Sequence, residues 1–129
     1  MSQEMLLRYG MNPHQKPAAA VKIAEILTYL TQKHQIDPAR LVILSNITKD
    51  HNHSIFQGQN QIAGLTFTQN PQEAKRNPKS ILYQTIQKVK GLEYDGVILV
   101  LYPKTFLTPE MRYVGYTRAK HLLYVVNVG

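Results

Sequence analysis

The chain has 129 residues, enough to enclose one hydrophobic core and too few for two comfortable domains. Hydrophobic residues make up 43% and charged residues 18%, the balance of an ordinary soluble globular protein, and no apolar run approaches the ~18 residues a membrane span requires. The absence of cysteine excludes a disulfide framework, a thiolate metal site and a cysteine nucleophile, while a formal charge of +7 favours polyanionic partners, nucleic acid first among them.

Residues 1–17 carry little periodicity and contain Gly10 and Pro13, so an N-terminal arm or linker is expected there, followed by one domain over 18–129. No secretory leader is evident around Pro17–Ala20, and a cytoplasmic location is expected. Val21, Ala24, Ile26, Leu27 and Leu30 recur at helical spacing and predict a helix over Ala18–His34, with Pro38 in its exit turn. Leu41–Ser45 is a continuous apolar run, the pattern of a strand buried on both faces. Asn46–Asn60 is polar and reads as a loop with room for a short helix, Leu65–Thr68 as a brief strand, and Gln69–Pro78, with Pro71, Lys75, Arg76, Asn77 and Pro78, as an exposed basic loop. Ser80–Thr85 predicts a strand, Gln87–Asp95 a connection, and Val97–Leu101 a wholly apolar strand. Thr108 can cap a helix opened by Pro109 and running to about Lys120, and Leu122–Val126 closes the chain with another buried strand. Strands separated by helices or long crossovers imply a mainly parallel sheet covered on both faces.

Two strings carry the chemistry. The first, Thr85–Asp95, reads T-I-Q-K-V-K-G-L-E-Y-D; the second, Tyr113–Lys120, reads Y-V-G-Y-T-R-A-K. In open α/β sheets ligands collect beyond the carboxyl ends of the strands, and both the connection after Thr85 and the helix carrying Arg118 suit such a rim. There Gly91 lets backbone approach a ligand, Lys90 offers a point charge to phosphate, Glu93 can accept from ribose hydroxyls, and Arg118 is a rigid fork for a terminal phosphate. Taken singly these residues have ordinary readings as well: K-G-x-E recurs by chance, and an arginine near a helix end is usually solvated or paired with the helix dipole.

Together, in this order and this close, the strings resemble two signatures of the UvrD-like superfamily 1 helicases. Thr85, Lys90, Gly91, Leu92, Glu93 and Tyr94 match the first, with Val97–Leu101 as its following strand; Tyr113, Val114, Gly115, Thr117, Arg118 and Ala119 match the second. The resemblance implies a three-layer RecA-like domain of the P-loop NTPase type, the second motor domain of such an enzyme. It implies that Gly91, Glu93 and Arg118 face a nucleotide, with Arg118 as the arginine finger and catalytic residue and Glu93 on the ribose. Thr85, Gln87 and Lys90 would face single-stranded DNA, Lys90 coupling nucleotide state to grip on the strand. Gln87 stands where the family has histidine, and no string resembling the family's N-Y-R-S is recognisable; Arg8-Tyr9 is too unlike it.

No G-x-x-x-x-G-K-[ST] loop is present, so this chain alone is not expected to hold or hydrolyse ATP. ATP and Mg2+ are expected only together with a partner, the first RecA-like helicase domain, joined in a longer parent or met in trans. The alternative is a standalone nucleic-acid or protein-binding module that keeps the fold without the motor. No metal site is expected of His51 and His53, which lack a neighbouring carboxylate cluster, and no membrane partner is expected. Lys75, Arg76 and Lys79 read equally as a phosphate contact or a solvated face; Tyr83 and Tyr102 read as packing residues, with Tyr94 and Tyr116 open to stacking. Leu7–Gln15, L-R-Y-G-M-N-P-H-Q, is similar to a string of the purine-biosynthetic formyltransferase and cyclohydrolase enzymes, but nothing downstream supports that family and the likeness is read as coincidence.

Overall fold

The computed structural model describes residues 3–89, 92–103 and 108–129. In chain order its elements are β1 (Gln3–Tyr9), α1 (Gln15–Thr28), β2 (Leu41–Ser45), β3 (Gln61–Ile62), β4 (Leu65–Thr68), α2 (Pro71–Arg76), β5 (Ser80–Thr85), β6 (Tyr94–Leu101), α3 (Pro109–Tyr116) and β7 (Ala119–Val128). The strands form one sheet in the order β1-β7-β6-β2-β5-β4-β3. Every neighbouring pair is parallel except the β3–β4 hairpin, whose turn holds Ala63 and Gly64 at φ 52° and 76°, the primed geometry that suits strand twist.

All five residues of β2 are buried, because both faces of the sheet are covered. On one face Ile43, Ile81, Tyr83, Ile98, Val100 and Val126 pack against Ala19, Ile23, Ile26, Leu27 and Leu30 from the first helical segment. On the other, Val42, Leu44, Leu82, Val97, Leu99 and Val125 meet Ala74 of α2 and Met111, Val114 and Tyr116 of α3. The result is the mainly parallel sheet covered on both faces that the strand pattern predicts, in the three-layer RecA-like form that the resemblance implies. Burial decides the helix positions: each buried Leu or Ile contributes ~1.5–3 kcal/mol, against ~1 kcal/mol for a cap.

Several boundaries differ from expectation. Residues 3–9, read as part of an arm, form β1, paired in parallel with β7 from Gln3↔Leu122 to Tyr9↔Val128. The first helix begins at Gln15 because Asn12 Oδ1 accepts from the backbone N–H groups of His14 (3.0 Å) and Gln15 (2.8 Å). Its last turn, Tyr29–Lys33, widens to a π-helical form, next to Thr28 and Thr31, whose hydroxyls donate back to Ala24 and Leu27 carbonyls. Gln69–Pro78 is not all loop: Asn70 accepts from Gln72 N–H at 2.9 Å and caps α2, with Pro71 opening the helix and Glu73 in its first turn. The connection after β5 contains a 3-10 turn, Ile86–Val89, and β6 starts at Tyr94, earlier than expected. Thr108 caps α3 as predicted, accepting from Met111 N–H at 3.1 Å, but α3 stops at Tyr116 and β7 already begins at Ala119.

Candidate functional site

The two strings meet at the amino edge of the sheet. Parallel strands require the connection after β5 to carry the chain back across the whole height of the sheet before β6 can begin. Thr85 therefore ends β5 at the carboxyl edge while Glu93 precedes β6 at the amino edge. Arg118 likewise lies between α3 and the start of β7. The Tyr94 N–H donates to the Arg118 carbonyl at 2.8 Å, and Tyr94 pairs with Ala119 in the ladder, so the end of the first string is clamped to the end of the second. The pairing then jumps to Gly96↔Leu122, an irregularity on β7 of the kind that re-aims side chains beside sites. The single carboxyl-end rim expected for all these residues is thus corrected: Glu93 and Arg118 share one edge, Thr85 and Gln87 the other.

Arg118 is half-buried. Its Nη2 donates to Thr117 Oγ1 at 3.1 Å, and that hydroxyl in turn donates to the Tyr113 and Val114 carbonyls at the end of α3. Arg118 Nε is buried and has no hydrogen-bond partner among the described residues. Beside this edge lies a groove of about 410 Å3, lined among others by Arg40, Lys75, Glu93, Asp95 and Lys120. Arg40 forms an ion pair with Asp95, whose side chain is largely buried. Burial also pushes the Tyr94 phenol above its ordinary range.

At the carboxyl edge Thr85 lies opposite Ser45 of β2, and Gln87 Nε2 donates to Met111 Sδ at 3.8 Å. Ile86, Gln87, Thr108, Glu110, Met111 and Val114 line a groove of about 240 Å3 there. Lys90 and Gly91, expected at the DNA and the nucleotide, lie outside the described residues. Segment 46–60 closes over the same edge: Tyr83 Oη donates to the Ile47 carbonyl (3.0 Å), Tyr102 Oη accepts from Ile55 N–H (2.9 Å), and Asn46 Oδ1 accepts from Tyr102 N–H (3.0 Å). Tyr83 and Tyr102 are packing residues, as their positions beside apolar strands suggested. His51 Nδ1 accepts from the His53 backbone N–H, and the two rings stack.

Sequence reasoning missed Arg40 and Lys120 and left Lys75 undecided. The signal for Arg40 was available: Asp37-Pro38 opens a capped turn directly before β2, which puts Arg40 at the amino edge of a central parallel strand.

Layers, strand order and the clamped strings define a RecA-like α/β domain. Residues 81–126 match the family model of the UvrD-like helicase C-terminal domain, a span that holds both strings entire. This bears out the resemblance drawn from those strings. No curated protein matches the chain. Among the described residues no helix is long and apolar enough to cross a membrane.

Proposed function

We propose that the chain is the second motor domain of an ATP-dependent superfamily 1 DNA helicase, working in the cytoplasm with a first RecA-like domain that carries the Walker loop, in the same polypeptide or in trans. The observation that supports this reading is the Tyr94–Arg118 backbone hydrogen bond, which brings the backbones of the two strings together on one edge. ATP with Mg2+, held by the partner domain, supplies the phosphoryl transfer that drives such motors.

The residues present suit that ligand. Arg118 does not line the amino-edge groove and its Nε–H is buried without a partner among the described residues, so the side chain has to turn outward, giving up its Thr117 contact, to offer that donor to a phosphate oxygen. Arg40, Lys75 and Lys120 make the groove cationic, while the Glu93 carboxylate can accept from hydroxyl groups of a ribose. Gly91 belongs to the same nucleotide-facing set. At the opposite edge Thr85 and Gln87 are assigned to single-stranded DNA, with Lys90 as a further DNA contact wherever it lies, so nucleotide and DNA would act on different edges of the sheet.

The test mixes the chain with a separate Walker-containing domain and single-stranded DNA and measures ATP hydrolysis. Stimulation is expected, with Arg118→Ala lowering it by ~10^3-fold or more, the scale of an arginine finger. No stimulation, together with no effect of Arg118→Ala, would sink the motor reading. It would favour instead a non-catalytic binding module whose DNA affinity falls with salt and ignores ATP.

A further inference from the structure

A second groove at the carboxyl edge belongs to neither string's expected site. It measures about 400 Å3 and runs between α3 and the edge strand β1. Leu7 and Tyr9 of β1 pack on the α1 side, so Leu6 and Arg8, alternating with them, face the α3 side. On β7, Leu123 and Val125 lie in the α3-side core, which puts Asn127 on that face too, directly opposite Arg8 in the ladder. Arg112 and Tyr116 stand one helical turn apart on α3 and form the other wall.

The composition of this groove points to a ligand. Among the described residues no acidic side chain lines it, in contrast to the amino-edge groove with Glu93 and Asp95. Among the described residues neither Arg8 nor Arg112 takes part in an ion pair. Asn127 interrupts an apolar strand at the groove floor, and the half-buried Tyr116 adds an aromatic wall. Two guanidinium groups, an amide and an aromatic ring along one open trough match the parts of a nucleotide chain: phosphates, base edge and base face.

We propose that this groove binds single-stranded nucleic acid, with Arg8 and Arg112 on phosphates and Tyr116 and Asn127 beside a base. The proposal rests on the nucleic-acid part of the reading above and extends the strand's path from Gln87, past α3, to β1.

The experiment follows fluorescence anisotropy of a labelled oligothymidylate with the chain over a range of salt. Replacing both arginines (Arg8→Ala with Arg112→Ala) is expected to weaken binding about tenfold or more at low salt and to reduce the slope of log K against log salt by about 1.4, two phosphates at ~0.7 each. Thr85→Ala with Gln87→Ala removes uncharged contacts and is expected to weaken binding with the slope kept. Lys22→Ala with Lys33→Ala takes the same charge from the α1 layer and serves as the control for net charge; unchanged thermal midpoints certify the folds. If Thr85 and Gln87 matter and the arginines do not, the groove assignment is overturned while the reading above survives. An effect of the arginines without one from Thr85 and Gln87 supports the groove and counts against the string's DNA contacts. A control that flattens the slope as much as the arginine pair, a mononucleotide that competes as well as the oligomer, or no binding at all would each overturn the proposal.

Discussion

At the amino edge of the sheet Arg40, Lys75, Glu93 and Lys120 stand exposed around an open groove, whereas on the α1 side of the carboxyl edge segment 46–60 covers the strand ends and is pinned by buried polar groups. At the amino edge the described ties between the two strings and around the groove include the Tyr94–Arg118 backbone hydrogen bond and an ion pair whose arginine is 63% exposed. The carboxyl edge is held by Lys49, whose Nζ donates to Asp50 Oδ1 (2.8 Å) and the carbonyls of Gln59 (2.5 Å) and Phe56 (3.5 Å) and sits 5.1 Å from the centre of the Phe67 ring. Charge in water is cheap to rearrange, and charge in the interior is fixed by its partners. An edge that must open and close on a partner suits the first construction; one that must present a constant surface suits the second.

Lys49 offers the sharpest way to break this contrast. Lys49→Met keeps the length and the apolar stem but leaves the buried Phe56 carbonyl without its donor, a loss of ~1–3 kcal/mol for one unsatisfied group, while the part-buried Gln59 carbonyl can turn to water. Denaturant unfolding should register that loss, and amide exchange should show segment 46–60 opening first. A change below ~0.5 kcal/mol would mean that the lysine is a passenger and the carboxyl edge no more rigid than the other.

That residue also shows where reading the sequence stops. Lys49 looks like any surface lysine in a polar stretch, because nothing local records that the chain folds back to give it two carbonyls. Strand β2 and the Val97–Leu101 part of β6 were legible because strands buried on both faces carry continuous apolar runs, and β5 through its shorter apolar centre Ile81–Tyr83. The two strings themselves were legible, since each lies next to its own strand, and their ends meet through Tyr94 and Arg118. Which edge they occupy was not, for that follows from the parallel crossover and not from the residues. β1 was missed because the strand that Gln3–Tyr9 pairs with among the described residues, β7, lies at the far end of the chain. α2 was missed for a different reason: Asn70, Pro71 and Glu73 carried a capping signal, and the breakers Asn77 and Pro78 masked it.

The pH dependence sharpens the contrast next. Burial raises the folded-state pKa of Tyr83 and of Tyr102. The unfolded chain therefore gives up these phenol protons first, so their contribution is fully present below about pH 10 and declines as pH rises beyond it. Thermal midpoints should hold to about pH 10 and fall above, and Tyr83→Phe should make the fall shallower. An equally steep decline in that variant would move the alkaline sensitivity away from this edge. At the acid end the direction reverses. The hydrogen bond from Lys49, joined by the Gly58 N–H, holds the Asp50 carboxyl below its ordinary value, so its contribution is present above about pH 4 and is lost as acid protonates it.

The smallest effect is expected at Arg40. Its ion pair with Asp95 joins the start of β2 to the start of β6, close to Glu93, and geometry alone would suggest a strong tie. Exposure argues otherwise: a guanidinium mostly in water gains little from one carboxylate, and Arg40→Ala should cost ~0–1 kcal/mol, shrinking further with added salt. Asp95→Asn should cost about as much, and the double variant no more than either alone, if the two act only through each other. A loss of ~2 kcal/mol or more that salt leaves untouched would show the amino edge to be built as firmly as the carboxyl one. Arg40 would then be a fixed strut, and not a charge free to turn toward a phosphate.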